Sequence, residues 1–291
     1  MKATPSRQAR VSTAVNSNRP VVCVLASGSR GNATYISDGH TAILVDAGLS
    51  GVQIQQRMAA KGLDPSCLDA ILVSHEHADH IQGVGVLSRR LGLQVYISDG
   101  TWQASQTHLG RLFDVCPFTC GNAFTIGTLA VHPFSLSHDA QDPAGFTIAS
   151  NGSKVGVATD LGIVTNVVKT HLQACDILIL EANHDTRMLL DGPYPWPLKQ
   201  RIRSRSGHLS NDDTALLLES LRHDRLTHVI LAHLSEENNT PQKARQAMQN
   251  ALDGGGVELH VASQTTGCGV LPLGWHPCPI KPGQAGYCGC E

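Results

Sequence analysis

A chain of 291 residues with 41% hydrophobic and 16% charged side chains can bury a sizeable core and is far from the composition of a disordered polymer. Its formal net charge of -2 gives no global attraction for nucleic acid, so polyanion binding would need a local basic patch. No window reaches the roughly 18 consecutive apolar residues of a membrane span, which excludes a helical membrane protein.

Residues 1–20 are polar, carry Lys2, Arg7, Arg10 and Arg19, and lack the apolar run of an export signal. They read as a disordered lead-in to a cytoplasmic protein. Residues 21–26 form a β-branched run ending in the loop Ser27-Gly28-Ser29-Arg30-Gly31-Asn32, and 33–37 and 41–45 read as strands joined by an Asp38-Gly39 hairpin signal. Val52, Ile54 and Met58 give 51–61 helical spacing that stops at Gly62. Residues 69–74 are then a buried strand. Further on, 81–91 reads as helical, 94–98 as a strand and 101–112 as mixed or helical. Strands are expected over 124–134, 144–149 and 154–159, separated by Gly and Asn turns.

In the last third, 161–170, 212–221 and 241–252 are helix candidates, and 177–180, 228–232 and 258–262 are strands. Two β-rich stretches, each followed by helices, suit two stacked sheets flanked by helices. The fold class is therefore α/β (α+β), as a four-layer αββα sandwich over residues 21–264. Residues 265–291, rich in Pro and Gly, read as an irregular tail. The nine cysteines are odd in number and widely spread, which fits reduced thiols. Cys268, Cys278, Cys288 and Cys290 crowd the tail without the C-x-x-C spacing of a zinc site.

The chemistry concentrates in His75-Glu76-His77-Ala78-Asp79-His80, where five of six side chains can ionise directly after the apolar run Ala70-Ile71-Leu72-Val73. Imidazole and carboxylate are the usual ligands of zinc and related divalent ions. Alternation lets His75 and His77 reach one ion, while Asp79 and His80, beyond the turn, can serve a second. Asp46 before this cluster, and His138, Asp160 and His233 after it, each stand at or just after an expected strand end, where side chains of a two-sheet scaffold converge.

This pattern resembles the metallo-β-lactamase superfamily, whose H-x-H-x-D-H signature follows a buried strand. The resemblance implies that His75, His77 and His138 hold one metal and Asp79, His80 and His233 another. Asp160 would bridge them, and Asp46 would orient ligands from behind. Asp79 would count among the catalytic residues as well. Two ions ~3.5–4 Å apart can share a hydroxide made at neutral pH and stabilise both attacking and leaving oxygens. A carboxylate at Asp160, where many true β-lactamases of this fold place a cysteine, disfavours antibiotic hydrolysis.

Glu181, after a strand, and His208, in Gly207-His208-Leu209-Ser210-Asn211, are similar to a pair in the phosphodiesterase branch that includes ribonuclease Z. A carboxylate behind an imidazole makes a general acid for a leaving alkoxide. The same stretch also suits a helix start, with Ser210 as N-cap and Asp213 three residues on. The Gly/Ser loop, with Ser29 and Asn32, can approach an anionic substrate closely. Lys199, Arg201, Arg203 and Arg205 place four cations at alternating positions before His208, suited to backbone phosphates.

Together these segments resemble the YycJ-type branch, which implies a nuclease-like enzyme with 5′ exonuclease action on DNA. Two divalent ions are expected, zinc by default, with manganese and iron as alternatives. The competing reading within the fold is a small-molecule hydrolase, either a cyclic phosphodiesterase or a thioesterase of the glyoxalase II kind. A third is a non-catalytic metal-binding protein on a lapsed scaffold, which the complete ligand set argues against.

Overall fold

The structure, a computed structural model, describes residues 21–252 and 256–272. The expected lead-in over 1–20, and Cys278, Cys288 and Cys290, lie outside the described residues.

The first half of the chain builds one seven-stranded sheet. β1 (Val21–Ala26), β2 (Ala33–Ser37) and β3 (Ala42–Val45) form an antiparallel meander, and β4 (Ala70–Leu72), β5 (Gln94–Ser98) and β6 (Asp114–Phe118) continue it in parallel. α1 (Gly51–Ala60), α2 (Ala78–Ile81), α3 (Val84–Leu91) and α4 (Asp99–Leu109) belong to this half. The second sheet begins with antiparallel β7 (Phe124–Ile126), β8 (Leu129–Ser135), β9 (Ala144–Ser150) and β10 (Ser153–Ala158). Parallel β11 (Ile177–Glu181), β12 (His228–Ala232) and β13 (Glu258–Val261) then extend it. Its helices are α5 (Asn166–Leu172), α6 (Thr186–Asp191), α7 (Trp196–Ile202), α8 (Asn211–Leu221), α9 (Pro241–Ala247) and α10 (Gln249–Leu252). β14 (Leu271–Pro272) pairs antiparallel with β1 at the edge of the first sheet.

Period-two alternation divides the buried side chains into layers. On β11, Ile177 and Ile179 join Val22, Leu72, Phe146 and Ile230 between the sheets. Leu178 and Leu180 point the other way, onto Leu172, Leu217 and Met248 beneath the helices. Leu44, Ile71 and Val95 meet Ile54, Met58 and Leu87 on the outer face of the first sheet. Three apolar seams between four layers make the expected αββα sandwich.

Several local readings change. The helix expected over 161–170 starts at Asn166, where the Thr165 side chain accepts the Val168 N–H as N-cap. The one expected over 81–91 divides into α2 and α3 around Gly83, whose missing side chain leaves room for the Leu49 carbonyl, 2.3 Å from where a Cβ would stand. The helix expected over 241–252 breaks at Met248. Of the basic run, Lys199 and Arg201 lie in α7 and Arg203 follows it as the C-cap. Within the stretch read as an irregular tail, Leu271 and Pro272 pair with β1 and Cys268 is buried. The strand Asp114–Phe118 escaped notice because its burial pattern is mostly exposed and it contains Pro117.

Candidate metal centre

The functional residues sit where strands stop. Asp46 follows β3, the His75–His80 segment follows β4, His138 follows β8, Asp160 follows β10, Glu181 ends β11 and His233 follows β12. Asp46, Asp160 and His233 hold φ of 61°, 62° and 54°. Three non-glycine residues in the left-handed region at one end of two sheets is strain concentrated where the side chains converge.

Each buried imidazole is anchored through one nitrogen and turns the other inward. His80 Nδ1 donates to Asp46 Oδ2 at 2.8 Å and His138 Nδ1 donates to the Gly207 carbonyl at 3.1 Å. His233 Nδ1 donates to Glu181 Oε1 at 3.1 Å, and His75 Nδ1 lies 2.9 Å from the Ser74 hydroxyl. Ser74, singled out by no motif, donates in turn to Asp46 Oδ2 at 2.8 Å. This is how outer partners set the tautomer of metal-binding histidines.

The inward atoms form three-membered groups: His75, His77 and His138 on one side, and Asp79, His80 and His233 on the other. Between them, Asp160 brings Oδ1 to 3.4 Å from His233 Nδ1 and 4.0 Å from His138 Nε2, and Oδ2 to 3.3 Å from His80 Nε2. Asp160 Oδ2 and His233 Nε2 are buried with no hydrogen-bond partner. Unpaired buried polar atoms are costly, and here they are metal-donor atoms within one cluster, Asp160 Oδ2 being 3.3 Å from His80 Nε2 and His233 Nε2 3.7 Å from Asp79 Oδ2. The donor set therefore fits divalent cations.

Electrostatics point the same way. Burial and the neighbouring His80 hold His75 well below the usual imidazole range, and burial also lowers His138, which leaves both as neutral donors. Burial opposes charge on His80 and His233, but Asp160 and Asp46 override it at the first, which stands well above its ordinary value. Asp160, Asp79 and Glu181 override it at the second, which rises to about 10. Protons thus balance the buried carboxylates, and a divalent cation binding here displaces them.

Glu181 is fully buried and serves two rings. Its Oε1 accepts from His208 Nδ1 at 2.7 Å as well as from His233, and its Oε2 accepts the Leu161 and Leu209 N–H groups at 3.0 and 3.1 Å. Burial alone would raise this carboxyl, yet His208 and His233 draw it down to about 2. Burial would lower His208, and Glu181 raises it instead. Ser210 caps α8 as expected, accepting the Asp213 N–H at 3.1 Å, while His208, two residues earlier, keeps its hydrogen bond to Glu181.

The remaining residues differ in position. Ser29 lines a cleft of about 270 Å³ over the cluster, together with Tyr194, Leu198, Arg201 and Ser235. Asn32 is buried, and its amide donates to Asp79 Oδ2 at 3.1 Å, behind the cluster and turned away from the mouth. Arg201 bonds Asp139, Nε to Oδ2 at 2.7 Å, and Asp139 Oδ1 is 3.5 Å from His138 Nε2. Arg203 and Arg205 are exposed outside that lining. Lys199 is buried, its ammonium donating to the Leu190 and Gly192 carbonyls at 2.6 and 2.7 Å, so it is not available to a phosphate. Asp139, Asn183 and Tyr194 were missed as contributors. Asp139 adjoins His138 in sequence, the one signal that pointed to it; Tyr194 reaches the cleft only through the turn between α6 and α7.

Among the described residues, no helix is long and apolar enough to cross a membrane. A family model described as a β-lactamase superfamily domain matches residues 41–233. The exodeoxyribonuclease YycJ of Bacillus anthracis is 38% identical over 232 residues, covering 79% of this chain and 88% of that protein. The exodeoxyribonuclease WalJ of Streptococcus pneumoniae serotype 2 (strain D39) is 40% identical over 233 residues, covering 79% and 87%. Among solved structures, the metallo-β-lactamase fold protein YhfI of Bacillus subtilis superposes with a TM-score of 0.66 at 18% identity, covering 85% of this chain and 98% of its own. The short form of human tRNase Z superposes with a TM-score of 0.61 at 19%, covering 87% and 99%. With these relatives and this cluster, the chain belongs to the β-lactamase superfamily, as a metal-dependent hydrolase akin to YycJ and WalJ.

Proposed function

We propose that the protein is a dinuclear metal-dependent phosphodiesterase that acts on DNA as a 5′ exonuclease. In this reading His75, His77 and His138 would hold one ion and Asp79, His80 and His233 the other, with Asp160 placed between the two groups to serve either. Two relatives named exodeoxyribonucleases, each matched over nearly nine-tenths of its length, support the substrate class. When bound, the cations supply a water deprotonated near neutral pH and neutralise charge on a phosphoryl group.

The chain's own groups do the rest. Glu181 holds His208 by Nδ1, so Nε2 faces the cleft and can hand its proton to the leaving oxygen. Because the same carboxylate oxygen holds His233, the proton donor and a ligand of the second ion stay in fixed register. That shared carboxylate is the observation that carries the reading, since an alkoxide leaving group needs such a proton donor and the thiolate of a thioester does not. Asp46 and Ser74 orient His75 and His80, and Asn32 steadies Asp79. Ser29, at the cleft mouth, and Arg201, Arg203 and Arg205 offer a polar edge for a phosphate backbone. Arg201 must share its charge with Asp139.

Metal-loaded protein given 5′-phosphorylated single-stranded and duplex DNA tests this directly. Nucleotide release from the 5′ end, lost in Asp79→Ala, is expected. Intact DNA across zinc, manganese and iron, with turnover of a small aryl phosphodiester, would sink the nuclease reading and leave a small-molecule hydrolase.

A further inference from the structure

β12 carries a histidine at each end. His233 belongs to the cluster above; His228 lies at the opposite rim, about 17 Å away along the strand at ~3.3 Å per residue. Parallel pairing sets His228 beside Glu258 and Ile230 beside His260 on edge strand β13. Residues 228, 230 and 232 share one face by period-two alternation, and Ile230 and Ala232 place that face toward the space between the sheets. The three polar side chains therefore converge at the lower rim of the sandwich.

Their spacing is that of a ligand set. His228 Nδ1 and His260 Nε2 are 3.3 Å apart, and Glu258 Oε2 is 3.8 Å from the first and 3.7 Å from the second. A point equidistant from the three atoms lies about 2.1 Å from each, within the Zn–N and Zn–O range. A hydrogen bond between the two rings would account for the 3.3 Å separation alone. A single carboxylate oxygen standing almost equally far from both nitrogens is in addition the arrangement that one shared cation requires. His228 and His260 are partly buried, so their orientation is held by the sheet, while Glu258 is largely exposed and leaves one side of the triangle open to water. The Arg245 guanidinium, the neighbouring cation, is anchored on the Leu259 carbonyl at 2.7 Å.

We propose that His228, Glu258 and His260 form a separate divalent-metal site of the Zn²⁺ class, with two imidazoles, one carboxylate and an outward position for water. An ion there ties edge strand β13 to β12, away from the hydrolytic centre. It acts by fastening the end of the second sheet and takes no part in the reaction.

The test is a titration of chelator-stripped full-length protein with Zn²⁺, and with Co²⁺ for its visible absorption. Wild type is compared with His228→Gln, His260→Gln and Glu258→Gln. Each histidine variant is expected to bind one equivalent fewer than wild type and to turn over a small aryl phosphodiester at the wild-type rate when metal-loaded. Glu258→Gln, on an exposed side chain that cannot disturb folding, is expected to weaken only that equivalent, by at least ~10-fold. Wild-type stoichiometry in both histidine variants would overturn the proposal. If those variants fail to fold, an unchanged set of affinities in Glu258→Gln would overturn it alone.

Discussion

At the scale of single residues, the centre depends on second partners as much as on the metal-facing atoms. Glu181 holds two rings with one oxygen, so its removal is expected to release the tether on both His208 and His233. In Glu181→Gln the negative charge that raises His208 is gone, and the ring's pKa falls. A proton donor works below its pKa and fails above it. The alkaline limb of the kcat–pH profile should therefore move to lower pH in Glu181→Gln and disappear in His208→Ala. His208→Ala should also lose roughly 10²–10⁴-fold in kcat with its metal content unchanged, as general-acid removal does. Full activity of His208→Ala on a substrate with a poor leaving group would contradict the assignment.

At the scale of elements, close backbone approach positions α2, which carries Asp79 and His80. Gly48 follows β3 and Asp46, and a Cβ there would stand 1.6 Å from the Asp79 carbonyl oxygen. The same carbonyl accepts the Asn32 N–H at 2.7 Å, so the loop after β1, the turn after β3 and the start of α2 meet at one point. Gly48→Ala must push these segments apart. A loss of about 1–3 kcal/mol in urea unfolding is expected from the overpacking. A larger fractional loss of activity should accompany it, measured at saturating metal, since displacement of ligands by an ångström is felt strongly.

At the scale of the molecule, the two sheets are also clasped away from the site. Asp38, in the turn between β2 and β3, accepts from Thr128 Oγ1 at 2.5 Å and Ser150 Oγ at 2.6 Å on the second sheet, and from the His40 and Thr41 N–H groups at 2.9 Å. Burial would raise this carboxyl, but those hydrogen bonds lower it below its ordinary value. A lowered folded pKa gives stability that is complete above the unfolded carboxylate range and is lost as pH falls through the folded value. Asp38→Asn should thus cost about 1–3 kcal/mol at neutral pH, with the gap from wild type closing as urea melts are taken down to about pH 3. Removing metal acts on the whole fold too. The buried carboxylates and imidazoles lose the cations that suit them, so chelation should lower Tm and abolish turnover, with both restored on adding metal back.

Much of this was legible in order along the chain. His75–His80 announced itself because five ionisable side chains after an apolar strand are too costly to be idle, whereas Asp46, Asp160 and His233, though each follows a readable strand, were marked by the ordered resemblance to the superfamily pattern. The four layers followed from period-two and helical spacing, which are local properties. What the sequence could not yield were relations between distant segments. Lys199 read as a phosphate-binding cation, yet the α6–α7 turn supplies two carbonyls that bury it. Asn32 read as a substrate contact, yet it faces Asp79. Pairing of residues 271 and 272 with β1, across some 250 residues, leaves no local mark. Sequence by itself determined the kind of scaffold and which side chains are chemically suited to hold a divalent ion. Only the tertiary structure decided which nitrogen of each histidine is tethered and which is left facing inward, because partners brought together by folding, and not neighbours in the chain, make that choice.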